Sequence, residues 1–218
     1  MKLKAYLVNE KNMITNLSSQ DAVYELIKKE CKPYLKLVGN EPFYRGMYAG
    51  THAWIKRDVR QDRMASGMDS DIYWGFNEWL RKKGGAMRSK SVICTSDEDW
   101  ANDFGHPYMI YPIGNFKYSW IYARDVNIPA LTTNYSPGYL YMKWAGGDDG
   151  EEFAAEMIYR EINKRAPSKD EWLPFAKKLT DDWFKKKGVI NNKGIHIAYK
   201  KEYEIWFECK SYYAVKFG

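Results

Sequence analysis

The sequence predicts an α+β domain built on a mostly antiparallel or mixed β-sheet, and three observations lead there. Segments with a 3.6-residue apolar period occupy 18–31 and 69–83. Short runs rich in β-branched and aromatic residues follow at 89–96, 107–114 and 117–122. A second helical stretch, 151–187, then precedes further apolar runs near the C-terminal end. Helices and strands come in blocks rather than in regular β-α-β alternation, which points away from a parallel sheet.

Each element has its own signal. KLKAYLVN opens as a short strand or an extended lead-in. SSQDAVYELIKKEC reads as a helix capped by Ser18 or Ser19, with Ala22, Leu26 and Ile27 on one face and Pro33 ending it. EPFYRGMYAG is a short β-run closed by glycines. The helix over 69–83 turns Ile72, Phe76, Trp79 and Leu80 inward and stops at Gly84-Gly85. SKSVICTS is a strand, and DEDWANDFG is a short helical turn ending at Gly105. PYMIYPIG and KYSWIY form two more strands joined at Gly114-Asn115. Residues 127–150 are loop-rich, and 151–187 are helical, divided at Pro167 with Ser168 as a cap. IHIAYK and YEIWFECKSYYAVKF read as two strands. The expectation is one domain over 1–218, with 127–187 as a loop-plus-helix insert.

Composition narrows the function classes. The chain has 218 residues, enough to bury a sizeable core without a staple. Aromatic residues make up 17%, which rules out intrinsic disorder. A formal charge of +6 permits an anionic partner without demanding one. Three scattered cysteines, Cys31, Cys94 and Cys209, argue for a reducing compartment rather than a disulfide framework. No His or Cys pair has metal-ligand spacing, so no metal is expected. His52, His106 and His196 have no partner at a useful spacing. The start of the chain lacks a signal-peptide pattern, and no apolar run is long enough to span a bilayer. A soluble, cytoplasmic protein with no membrane partner is expected.

The common signatures GxGxxG, GxxxxGK[ST], HExxH and GxSxG are all absent. Three separated segments remain. Phe43-Tyr44-Arg45-Gly46 sets an arginine at the exit of a short strand. Val92-Ile93-Cys94-Thr95-Ser96 is a strand followed by Ala101 and Phe104-Gly105 in a helical turn. Glu202-Tyr203-Glu204 lies in a late strand candidate. A basic stripe, Arg57, Arg60 and Arg63, recurs at helical spacing within WIKRDVRQDR, beside Lys56. It suits phosphates or nucleic acid, although a solvated face is the plainer reading.

In this order the three segments resemble the ADP-ribosyltransferases of the Arg-Ser-Glu group, with their YRG, Ser-Thr-Ser and Glu-x-Glu strings. The wider chain is also similar to bacteriophage proteins in its FYRGM, TS-strand and PIGN-KY strings, which implies the cytoplasm of a viral host. The resemblance implies a split β-sandwich core of ADP-ribosyltransferase type, with flanking helices. It further implies NAD as substrate and a host protein or nucleic acid as acceptor. Glu204 and Glu202 are the implied catalytic residues; Arg45, Tyr44, Gly46, Cys94, Thr95, Ser96 and Phe104 are the implied NAD-binding residues.

The residue types suit that chemistry. A carboxylate such as Glu204 stabilises the positive charge that grows on the ribose as nicotinamide leaves. A second carboxylate two residues earlier on the same strand face, Glu202, orients the incoming nucleophile or takes its proton. A guanidinium such as Arg45 offers a planar fork to a pyrophosphate. Two departures from the family stand out. Cys94 replaces the first serine, and a thiol is a weaker donor. The interval from Ser96 to Glu204 is long, so 151–187 would be an insert.

Structural readings stand beside the functional ones. Arg45 suits a surface ion pair, and Cys94 a small core hydrophobe. Thr95 and Ser96 suit capping of the following turn, and Glu202 and Glu204 the solvated face of an edge strand. A viral nucleic-acid- or protein-binding protein without enzymatic activity, or a degenerate transferase fold, therefore remains the alternative.

Overall fold

Two four-stranded antiparallel sheets share one apolar core, in a computed structural model that describes residues 20–39, 41–50, 52–63, 70–122, 165 and 188–216. The protein is of the α+β class. Helices α1 (Gln20–Glu30) and α2 (Lys32–Val38) come first. Strands β1 (Tyr44–Met47) and β2 (Trp54–Asp58) follow, then α3 (Ser70–Lys82). A 3-10 turn (Arg88–Lys90) leads into β3 (Ser91–Cys94), α4 (Glu98–Asn102), β4 (His106–Pro112) and β5 (Lys117–Trp120). The last part holds β6 (Ile190–Asn191), α5 (Ile195–Lys200), β7 (Ile205–Glu208) and β8 (Ser211–Lys216). The first sheet has the order β1-β4-β8-β2 and the second β3-β7-β5-β6.

The core is aromatic. Phe207 of β7 meets Tyr34 of α2 edge-on at 5.5 Å and Phe43 at 5.6 Å, while Phe116 packs on Phe207 at 5.8 Å. Val23 and Ile27 of α1 close this core from the helical side. Each such side chain contributes ~1.5–3 kcal/mol by leaving water. Period-2 alternation along β7 puts Ile205 and Phe207 in this core and sends Trp206 to the other face. There Trp206 donates its indole N–H to the Ala86 carbonyl (2.6 Å) and meets Phe76 of α3 at 6.0 Å. Helix α3 buries Tyr73, Phe76, Trp79 and Leu80, close to the expected face; the side chain of Ile72 lies outside the described residues.

Four expectations are corrected. Pro33 does not simply end a helix, because it sits in the first turn of α2, where its missing N–H has no intrahelical partner to lose. The segment 54–58 is strand β2, paired with β8 from Trp54↔Val215 to Asp58↔Ser211, so the basic stripe does not lie on a helix. IHIAYK is helix α5 rather than a strand. Its buried residues, Ile195 and Ala198, are three apart, and so short a segment fits either period. The last run is not one strand. It breaks at Cys209-Lys210, and its halves join different sheets. The amide of Val59 takes the Lys210 carbonyl (2.9 Å), which holds the crossover. The lead-in 2–9 and the proposed insert 127–187, Arg165 apart, lie outside the described residues. No helix among the described residues is long and apolar enough to cross a membrane.

One polar cluster ties α1 to the first sheet. Glu30 accepts from the Tyr213 hydroxyl (2.9 Å) and from Lys56 Nζ (3.2 Å), and Lys56 lies 5.2 Å from the Tyr213 ring centre. Burial pushes the Glu30 carboxyl up, but these hydrogen bonds and the Lys56 charge outweigh it and hold it below its usual value. A depressed carboxyl pKa adds stability above the unfolded pKa, and that stability is lost as the pH falls through the folded value. Urea unfolding of the Glu30→Gln variant is therefore expected to show a deficit of ~0.5–1 kcal/mol near neutral pH. The deficit should fade as the pH is lowered through the titration of the folded carboxyl. A deficit that stays constant across that range would assign the loss to packing instead.

Candidate active site

Among the described residues, one backbone bridge joins the edges of the two sheets. Tyr44 of β1 donates its amide to the Thr95 carbonyl (2.6 Å), and Thr95 returns a bond to the Tyr44 carbonyl (2.9 Å). This joint brings the Tyr-Arg-Gly and Cys-Thr-Ser segments side by side. Arg45, next along, donates from Nη1 to the Ile93 carbonyl (3.4 Å). Gly46 is required by a close approach. A Cβ there would strike the Ala101 carbonyl oxygen and lie 2.8 Å from the Phe104 carbonyl carbon. Helix α4 thus rests directly on β1, and Phe104 stands beside it, 56% exposed, with Trp100 edge-on at 5.5 Å.

The Cys94-Thr95-Ser96 string is committed to local structure. Cys94 lies opposite Ile205 in the register and belongs to the shared core. Burial drives its thiol far above the usual range, with Arg45 pulling the other way. Its sulfur contacts the Val92 carbonyl at 3.9 Å. This placement matches the reading of Cys94 as a small core hydrophobe. Strand alternation points the thiol into the core. Continued by one residue, the register instead sets Thr95 opposite Glu204. Thr95 Oγ1 accepts from the Asp97 amide (3.0 Å), and Asp97 caps α4 by accepting from the Trp100 amide (3.0 Å). Ser96 donates its hydroxyl to the Tyr199 carbonyl (2.6 Å) of α5.

Glu204 is buried, immediately before β7. That strand is central, flanked by β3 and β5, so the solvated-edge reading does not apply to Glu204. Arg88 meets its carboxylate as a fork, with Nε to Oε1 at 3.1 Å and Nη2 to Oε2 at 3.4 Å. Both side chains are almost wholly shielded from solvent. The turn carrying Arg88 is itself anchored. The Met87 amide donates to Glu208 (2.6 Å), and the Ser89 amide donates to Asn77 of α3 (2.8 Å). Glu202 does not share a strand with Glu204. It sits in the turn after α5 at φ +57, so alternation does not align the two carboxylates.

A further arginine lies close by. Arg63 donates its amide to the Ser89 carbonyl (3.1 Å), next to Arg88. Its Nε is shut off from solvent and has no hydrogen-bond partner. Burial first, and then the neighbouring Arg45 and Arg88 charges, lower its pKa to about 10 against the opposing pull of Tyr212 and Tyr73. Neither Arg45 nor Arg63 has an ion-pair partner among the described residues. Arg88 had no signal in the sequence beyond being a cation ahead of the SVICTS strand; Arg63 was visible only as part of the basic stripe.

The fold and site together define an α+β protein whose two sheets meet beside a cationic cluster facing a buried carboxylate. No group of three or more His, Cys, Asp or Glu among the described residues could hold a metal ion. A scan against protein-family models found no match, and searches of curated proteins and of solved structures found none either.

Two outcomes follow from this geometry. Cys94→Ser would bury a hydroxyl inside the apolar core and is expected to cost ~1–3 kcal/mol in thermal or urea unfolding. An unchanged melting temperature would show that the site accommodates a donor. Removing one partner of the Arg88–Glu204 pair leaves a buried charge unpaired. Arg88→Met or Glu204→Met alone should cost ~3–5 kcal/mol, and the double variant clearly less than their sum. Additive losses would mean that the two groups are not coupled.

Proposed function

We propose that this chain is a mono-ADP-ribosyltransferase, which cleaves NAD and passes ADP-ribose to a macromolecular acceptor, a host protein or nucleic acid. The observation that carries the reading is the convergence of Arg45, the Cys94-Thr95-Ser96 string and Glu204 where β1, β3 and β7 meet. The two antiparallel sheets are in accord with a split β-sandwich core of that family. The Glu-x-Glu spelling slightly favours an arginine-type acceptor. The resemblance to bacteriophage proteins makes the cytoplasm of a host cell its place of action.

In this mechanism the bond between ribose C1′ and the nicotinamide nitrogen breaks, and its electron pair stays on the nitrogen as neutral nicotinamide. The ribose becomes an oxocarbenium-like cation, which Glu204 stabilises across a water-poor site. Arg45 holds the pyrophosphate through its fork. Phe104 offers an exposed ring to a flat heterocycle. The acceptor's lone pair then attacks C1′, and its proton passes to Glu202, whose turn borders the site, or to water.

The commitment of Thr95 and Ser96 to backbone groups, with Cys94 in the core, supports a second reading: a transferase-like fold that binds without catalysing. Incubation with NAD labelled in its adenylate part and a host lysate separates the two. Label should appear on a macromolecule with the natural chain. Glu204→Gln should lower that transfer by ~10²–10³, because the shape is kept and the charge is lost. Near-natural turnover in the variant would remove Glu204 from the mechanism. No label with a folded protein would favour the second reading.

A further inference from the structure

Among the described residues, the arginine cluster holds more positive charge than its neighbours neutralise. Arg45, Arg63 and Arg88 come from three separate segments, β1, the stretch after β2 and the turn before β3. Arg88 is matched by Glu204, but Arg45 donates only to a carbonyl, and Arg63 is matched by nothing among the described residues. Arg60, in the same stretch, differs in having Asp62 at 3.6 Å. A buried guanidinium nitrogen without an acceptor costs stability. At neutral pH the Arg63 charge is disfavoured by burial and by its cationic neighbours. An arginine in that position fits a chain that receives an anion there.

The surplus of two guanidiniums over Glu204 among the described residues matches an anion with two or more charges. Guanidinium forks select planar pairs of oxygens, which phosphate groups present. The Arg88 fork is already filled by the two oxygens of a carboxylate, and a phosphate can offer the same pair.

We propose that Arg63 and Arg88 are anion ligands for a diphosphate group, and that such a group takes the Arg88 fork over from Glu204, freeing the carboxylate. The exchange makes ligand arrival the event that unlatches Glu204. It rests on the reading above for the place of the ligand at Arg45 and Glu204, and not on the cleavage of NAD. Arg63 and Arg88 act here as binding residues, and Arg88 also as a positioning residue for Glu204.

The test is calorimetric titration of the full chain with inorganic diphosphate at fixed ionic strength, with inorganic phosphate in parallel. The natural chain should bind diphosphate at least about tenfold more tightly than phosphate. Glu204→Gln removes the competing carboxylate, so diphosphate should bind about three- to tenfold more tightly. Arg63→Gln should weaken binding about tenfold or more, while its ligand-free melting temperature equals or exceeds that of the natural chain. Arg63→Lys, which keeps the charge without the fork, should fall between the two. Absence of diphosphate binding, equal affinity for phosphate, weaker binding by folded Glu204→Gln, or natural affinity in Arg63→Gln would each overturn the proposal. If Glu204→Gln does not fold, the Arg63 pair of variants decides alone. Diphosphate binding without NAD turnover would sink the transferase reading and leave this one standing; NAD turnover without diphosphate binding would do the reverse.

Discussion

The backbone joint between Tyr44 and Thr95 is the constraint on which the rest of the site depends. Strands β1 and β3 are edge strands of different sheets, and an edge strand exposes unpaired amides and carbonyls. Two hydrogen bonds between Tyr44 and Thr95 satisfy some of them and fix the distance between the sheets at that point. Arg45 then stands one residue from the joint on one side, and Cys94 and Ser96 flank it on the other. Gly46 follows because α4, which begins just after the joint, presses on β1 too closely for any side chain. A larger residue would lift α4 and with it Phe104.

The second constraint is the burial of charge. Glu204 is carried into the protein by the start of a central strand, where an ionised carboxylate must be matched. The match comes from the 87–90 segment, which α3 and the outward side chain of Glu208 hold against the outer face of the second sheet. A buried pair of this kind contributes little net stability, since desolvation of both ions offsets their attraction. Its value lies in fixing where the carboxylate points. Arg63 goes further in the same direction, since it is held where its charge is disfavoured. Such local cost is expected at functional sites and is offset by the aromatic core shared by the sheets.

Much of the architecture was legible in the sequence. Helices α1 and α3 had long amphipathic periods, α3 with a clear stop at Gly84-Gly85, and β3, β4 and β5 had β-branched and aromatic residues bounded by turns. Short segments were where local pattern failed. IHIAYK fits both periods, and only the Gly194 turn and the packing of Ile195 and Ala198 make it a helix. WIKRD pairs with β8, a contact between residues far apart in the chain, which no local rule reports.

The candidate site divides in the same way. The sequence by itself determined the chemical types and their order: an arginine after a short strand, a Cys-Thr-Ser string, a late glutamate and an excess of cations. Those are properties of single residues and of neighbours along the chain. Tertiary structure decided the partners. It turned Cys94 into the core, tied Ser96 to α5, placed Glu202 in a turn, and set Arg88 against Glu204 with Arg63 beside them. Strand register fixes which face each side chain takes, and register follows from pairings between distant segments. Electrostatic pairing depends on distance through space, so neither could be read from spacing along the chain.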